Sequence, residues 1–141
     1  MAKTPVSLVI GDFKHKRREV ASFRMAFNQS TDPEGQVTSI VRGGKITMRL
    51  KALNDGSTDL VSWMVDNEKA LNGSIVFVNT TNGVEMKQII FEDAYCVNYV
   101  ESWEDTTKDE DLAHWEEITI SCRKINVGNM ELFKNTWELI L

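Results

Sequence analysis

The sequence predicts a mainly β protein, an antiparallel β-barrel of two sheets with one packed α-helix. Three observations carry this. Several short segments alternate apolar and polar side chains, the period of a half-buried strand. Only one stretch, 59–71, spaces its apolar residues as a helix does. No repeated strand–helix–strand pattern asks for a parallel sheet.

Residues 6–10, VSLVI, read as the first strand, with Gly11 and Asp12 as its turn. KHKRRE, residues 14–19, is a charged hairpin tip. Over 20–27, Ala21, Phe23, Met25 and Phe27 share one face, and Ser22, Arg24 and Asn28 the other. Residues 28–44 lack any period and contain Pro33, Gly35, Gly43 and Gly44. At about seventeen residues this loop exceeds the usual length, which marks it as functional. Residues 45–53 form a half-buried strand with Ile46, Met48 and Leu50 inward.

The helix, 59–71, has a stripe of Leu60, Trp63 and Met64 that extends to Leu71. Ser57, Thr58 or Asp59 caps its start, Gly73 ends it, and Trp63 is its core anchor. Residues 74–78 and 85–91 make a hairpin about a turn at 79–83. The apolar phase slips at Glu92, Asp93 and Ala94, the signature of a bulge or bend. After the slip the inward set is either Tyr95, Val97 and Tyr99 or Ala94, Cys96 and Val100. Residues 101–116 form an acidic loop. The last strong strand, 118–125, sets Ile118, Ile120 and Cys122 against Thr119, Ser121 and Arg123. An apolar tail, 130–141, ends the chain. The strands at 45–53 and 118–125 have polar outer faces suited to water or a water-filled channel.

With 141 residues, the chain is expected to be a single domain, 1–141, with a sizeable core. Sixteen basic and twenty-one acidic residues leave a net charge of −5, which argues against a general nucleic-acid binder. No apolar run is long enough for a membrane span. The N-terminus lacks the apolar core and cleavage site of a secretory signal, so the expected origin is the cytoplasm. Cys96 and Cys122 sit in apolar strand segments and read as buried free thiols. His15 and His114 fall in charged loops without metal-ligand spacing, so no metal site is expected.

VRGGKIT, residues 41–47, looks like a phosphate cradle. A P-loop needs a hydroxyl directly after its lysine and a helix beginning there. Ile46 follows Lys45, and the segment alternates as a strand. Gly43 and Gly44 instead let the backbone turn out of the long loop. Glu92 and Asp93 are adjacent in a strand and point to opposite faces, so they form no carboxylate dyad. No serine or cysteine lies in a nucleophile motif, and no enzyme activity or cofactor is expected. The basic cluster of Lys16, Arg17 and Arg18 and the acidic stretch with Glu104 and Asp105 suggest head-to-tail pairing between copies.

Four motifs recur in order: T-D-x-x-G followed by R-G-G-K-I-T, a W-M helix, F-E-D-A-Y, and K-I-x-x-G-N. Their order and spacing, over about residues 23–129, resemble the Bacteroidota branch of the type VI secretion tube proteins, Hcp or TssD. The resemblance implies a two-sheet β-barrel with a helix at its side, six copies in a ring, and rings stacked head to tail into a tube. It implies effectors carried in the tube, a contractile sheath, tip and baseplate proteins as partners, and export without a signal peptide. It implies no catalytic residue and no cofactor. The long loop then helps contact neighbouring subunits or rings, with Arg42, Gly43, Gly44 and Lys45 at its base, and Trp137 in the tail docks on a neighbour or on the barrel. The nearest alternative is a tube protein of a phage tail or extracellular contractile injection particle. From another class, the rival is a monomeric barrel that binds a small ligand in an apolar cavity.

Overall fold

The computed structural model describes residues 5–39, 41–53, 56–79, 81–104 and 114–135. Its elements run β1 (Val6–Val9), β2 (Arg17–Met25), β3 (Lys45–Lys51), α1 (Asp59–Val65), β4 (Leu71–Val78), β5 (Glu85–Trp103), β6 (His114–Val127) and β7 (Met130–Lys134). Every pairing is antiparallel, in the order β3-β2-β1-β4-β5-β6-β7. β3 also pairs with β6, so six strands close into a barrel and β7 is an extra strand. One edge of β6 serves two partners. Residues 115–121 meet β3, and residues 124–127 meet β7. Closure leaves the six barrel strands with no long free edge between them.

Alternation decides what fills the barrel. Ile46, Met48 and Leu50 of β3 and Ile118, Ile120 and Cys122 of β6 are fully enclosed, as their spacing predicts. They pack with Leu8, Ile75, Ile89, Phe91 and Ile125 in one continuous core. The outward positions of β3 and β6 join across the seam into one polar face. Thr47 and Thr119 share a hydroxyl hydrogen bond of 3.1 Å there, and the Arg49 guanidinium lies 4.8 Å from the Trp115 ring centre.

The bulge expected at the phase slip is present. Leu71 pairs with Ala94 but Gly73 with Phe91, so Glu92 and Asp93 face the single residue Asn72. Asp93 takes φ 50°, and its amide donates to Asn72 Oδ1 at 2.9 Å. Beyond it Ala94 and Cys96 point inward. A second irregularity between Cys96 and Asn98 then shifts the phase again. Tyr99 is thereby turned inward and Val100 is exposed, so each of the two expected inward sets is partly right.

Several boundaries differ from expectation. The helix ends at Val65, not near 71, and Gly73 lies inside β4. Thr58 occupies the N-cap but makes no side-chain cap. Asp66 stops the helix: its carboxylate accepts the Glu68 amide at 3.1 Å, and its carbonyl the Lys69 amide at 3.1 Å. Trp63 is enclosed, and its Nε1–H is shared between the carbonyls of Lys69 and Ala94, each at 3.1 Å. That contact holds the turn against β5 and sends Leu71 into the sheet. Residues 101–103 and 114–116, expected in the acidic loop, are strand, and His114 begins β6. Residues 130–134, expected in the tail, form β7. Ala21 is exposed, because the pairing with β3 shifts between Val20 and Ser22.

Candidate assembly surfaces at the two ends of the barrel

At one end, residues 28–44 leave β2 and return to β3 as a stiff arm. Asn28 and Arg42 exchange both backbone hydrogen bonds, at 2.8 and 2.7 Å. Thr31 and Val37 bridge again further out. The Asp32 carboxylate accepts the amides of Glu34 and Gln36, each at 2.9 Å, and Gly35 closes the turn at φ 85°. Val37 and Val41 are exposed on this arm.

The glycine pair explains the false phosphate cradle. A side chain at Gly43 would overlap the Phe27 ring, which packs 5.1 Å from the Phe133 ring of β7. Gly44 has φ 85°, and a Cβ there would lie 2.8 Å from the Cys122 carbonyl and 2.9 Å from Phe133. The Cys122 amide donates to the Gly44 carbonyl at 2.7 Å. The two glycines therefore press the base of the arm onto β6 and β7. Lys45 starts a strand, so no helix N-terminus is present to hold a phosphate. Arg24, Arg42 and Lys45 are exposed at this end. Among the described residues, none of the three has an ion-pair partner.

The opposite end gathers the other charged features. Val9 pairs with Arg17, Val20 with Leu50, Lys51 with Trp115, and Trp103 with His114. The basic tip and the acidic stretch thus leave the barrel at the same end. Lys14, Lys16 and Arg17 are exposed on the tip, and Phe13 beneath it packs edge-on against Trp63, 5.9 Å between ring centres. Glu101 is 2.7 Å from His114 Nε2, and Glu104 is exposed. Asp105 and Trp137 lie outside the described residues.

Arg18 belongs with neither group. It is only 3% exposed and is not a surface contact. Its guanidinium donates to Glu116 Oε1 at 2.9 Å and to the Lys51 carbonyl at 2.8 Å. The Tyr99 hydroxyl donates to Glu116 Oε2 at 2.6 Å. Burial, then the hydrogen bond and charge of Glu116, pushes the Tyr99 hydroxyl far above its ordinary value, so it stays a donor. This clasp joins β2, β3, β5 and β6. Sequence reasoning missed it, although the signal was there: Glu116 shares parity with Ile118 and Ile120, and Arg18 with Val20.

Burial pushes the Cys96 thiol up to about 11 and the Cys122 thiol up to about 12, so neither is a ready nucleophile at neutral pH. Among the described residues no three His, Cys, Asp or Glu side chains cluster as a metal site requires. Among them, too, no helix is long and apolar enough to cross a membrane. Among the described residues the barrel interior holds one continuous cluster of enclosed apolar side chains.

The described residues thus form a closed barrel with a hydrogen-bonded arm at one end and charged side chains at the other. The chain belongs to the hemolysin coregulated protein family, Hcp (TssD), whose family model matches residues 3–138. It is a structural tube protein of the type VI secretion kind, and proteins of this family are secreted by those systems. The chain is 31% identical to Hcp1 from Flavobacterium johnsoniae, with a TM-score of 0.79 over 92% of this chain and 98% of that one. Hcp1 from Salmonella typhimurium shares the fold at 18% identity, TM-score 0.66, over 85% and 82% of the two chains. A chain of the sheath–tube complex of an extracellular contractile injection system shares it at 15% identity, TM-score 0.58, over 88% of each chain. No curated protein sequence matches the chain.

Proposed function

We propose that the chain, as one domain, forms six-membered rings that stack head to tail as the inner tube of a type VI secretion system. The observation that carries this is the family match over residues 3–138 together with the stiff arm at one barrel end. Arg42, Gly43, Gly44 and Lys45 form the base of the arm, where a neighbouring subunit would bear on it. Lys16, Arg17, Glu104, Asp105 and Trp137 are further candidate contacts. The partners are other copies of itself, the sheath, tip and baseplate proteins, and effectors carried in the lumen. The protein is made in the cytoplasm and exported through the apparatus itself. It acts without catalysis; the raised thiol values and the filled interior favour that reading. The alternative, a tube subunit of an extracellular contractile injection particle, has only a shared fold behind it at 15% identity.

Size-exclusion chromatography with light scattering, followed by negative-stain imaging of the same peak, tests the reading. A mass of six subunits and rings with an open centre is expected. A monodisperse monomer across a wide concentration range would overturn it.

A further inference from the structure

Strand β5 overhangs its neighbours at both ends of the barrel. At the arm end it begins at Glu85, but its pairing with β6 begins only at Ile89, opposite Val127. The Gly128 amide donates to the Gln88 carbonyl at 3.1 Å, and there the chain turns away into β7. Residues 85–87 keep β4 on one side and, among the described residues, have no strand on the other. This leaves an open notch of about 250 Å³, lined by Glu85, Met86, Lys87, Gln88, Val127 and Gly128. Met86 is 69% exposed, and Met130, which pairs with Val127 beside the notch, is 66% exposed. Long, unbranched thioether side chains adapt to the shape of whatever packs on them.

At the opposite end the last pair with β4 is Leu71 with Ala94, and β5 runs on through residues 95–103 with β6 alone. Trp103 stands at its tip, 66% exposed, and Glu104 beyond it is exposed. An indole left in water at the end of a strand is a knob, and burying such a ring is among the strongest single contributions to a contact between chains. Knob and notch lie at opposite ends of one strand, so they do not meet within a copy. They meet when a second copy is set in line with the first. Charge agrees with that placement. Lys87 in the notch and Glu104 beside the knob are both exposed, and among the described residues neither has an ion-pair partner.

We propose that Trp103 of one copy enters the notch between Met86 and Met130 of the next copy, with Glu104 against Lys87. This rests on the stacked-ring reading and names a contact between rings that is separate from the arm. Each copy offers one knob and one notch, so the contact is heterologous and repeats along the stack. Its energy comes mainly from burial of the indole and the thioethers, so it outlasts added salt, which screens only its charged part.

The test compares full-length variants by ring mass in light scattering and by stack length in negative stain. Trp103→Ala and Met86→Glu are each expected to leave the ring mass unchanged and to cut the fraction of rings in stacks about tenfold or more. Lys87→Glu is expected to cut it less, and only at low salt. Val65→Glu, which charges an exposed apolar side chain on α1, is expected to leave stacks intact. The native thiols are buried, so a short bismaleimide reports introduced ones. Rings of Trp103→Cys mixed with rings of Met86→Cys are expected to give cross-linked pairs, which neither variant gives alone. Stacks that survive both Trp103→Ala and Met86→Glu, loss of ring mass in either variant, no stacking by wild-type rings, or coupling of Trp103→Cys to itself rather than to Met86→Cys would each overturn the inference while leaving wild-type ring formation standing. Absence of rings in the wild-type protein would sink the tube reading instead.

Discussion

The two ends of the barrel are secured in opposite ways. At the Lys51 end, charged side chains do the holding: Arg18, Glu116 and Tyr99 form a buried clasp across four strands. At the arm end, the backbone does it, through the Asn28–Arg42 bridge and the close approach of Gly43 and Gly44 to β6 and β7. Where side chains secure the fold, they are spent on it. Where the backbone secures it, Arg24, Arg42 and Lys45 stay exposed. A basic residue therefore announces nothing about its role until its packing is known. Arg17 and Arg18 are neighbours in sequence, yet one is exposed and the other enclosed.

The most severe way to break the clasp is Glu116→Ala, which strands the Arg18 charge in the core. Breaking one partner of a buried pair costs about 3–5 kcal/mol, so urea unfolding should show a midpoint far below wild type. If Glu116→Ala unfolds at the wild-type midpoint, the clasp is not what closes that end. At the arm end Gly44→Ala should cost about 2 kcal/mol, since it combines a φ of 85° with a Cβ 2.8 Å from the Cys122 carbonyl. Thermal melting of this variant against Gly35→Ala, which has the same φ but open space around it, separates strain from crowding.

A smaller effect comes from alkali. The Cys96 and Cys122 thiols titrate higher folded than their ordinary value of 9.0, at about 11 and about 12. A raised value favours the neutral form in the fold, so their stability contribution is full below pH 9 and is lost as pH rises through 9 toward 11 and 12. By pH 10 each buried thiol should have cost about 1 kcal/mol. A Cys96→Ala, Cys122→Ala double variant should therefore show a flatter fall in stability between pH 8 and pH 10, and parallel curves would contradict the burial of these groups. Least of all, Asp32→Ala removes two exposed bonds in the arm and should shift global stability by no more than about 0.5 kcal/mol. Amide exchange at Glu34 and Gln36 should nonetheless quicken, and unchanged exchange would mean that the arm is stiffened by its bridges alone.

Much of the barrel was legible from local pattern. The alternation at 45–51 and 118–125 predicted the inward faces of β3 and β6, and the phase slip at Glu92–Asp93 predicted a bulge. Trp63 read as an anchor because its neighbours repeat at helical spacing. The end of the helix was not legible, because Leu71 continues the stripe and nothing local says that the sheet claims it. β7 was missed because MELFK has too few residues to show a period. Arg18 was missed because a cluster of like charges reads as solvated until a buried partner is found 98 residues away.

What the order of residues settled was therefore which side of each strand is apolar, where the phase breaks, and which family the motifs belong to. These depend on neighbours a few positions apart, whose spacing is the same in any fold with that period. What waited for the folded chain was which strands meet, which charges are enclosed, and which end each feature occupies. Those depend on the closure of β3 onto β6 across some seventy residues of chain, as in the Thr47–Thr119 pair. That contact is selected by the packing of the whole core, so no short window of sequence contains it.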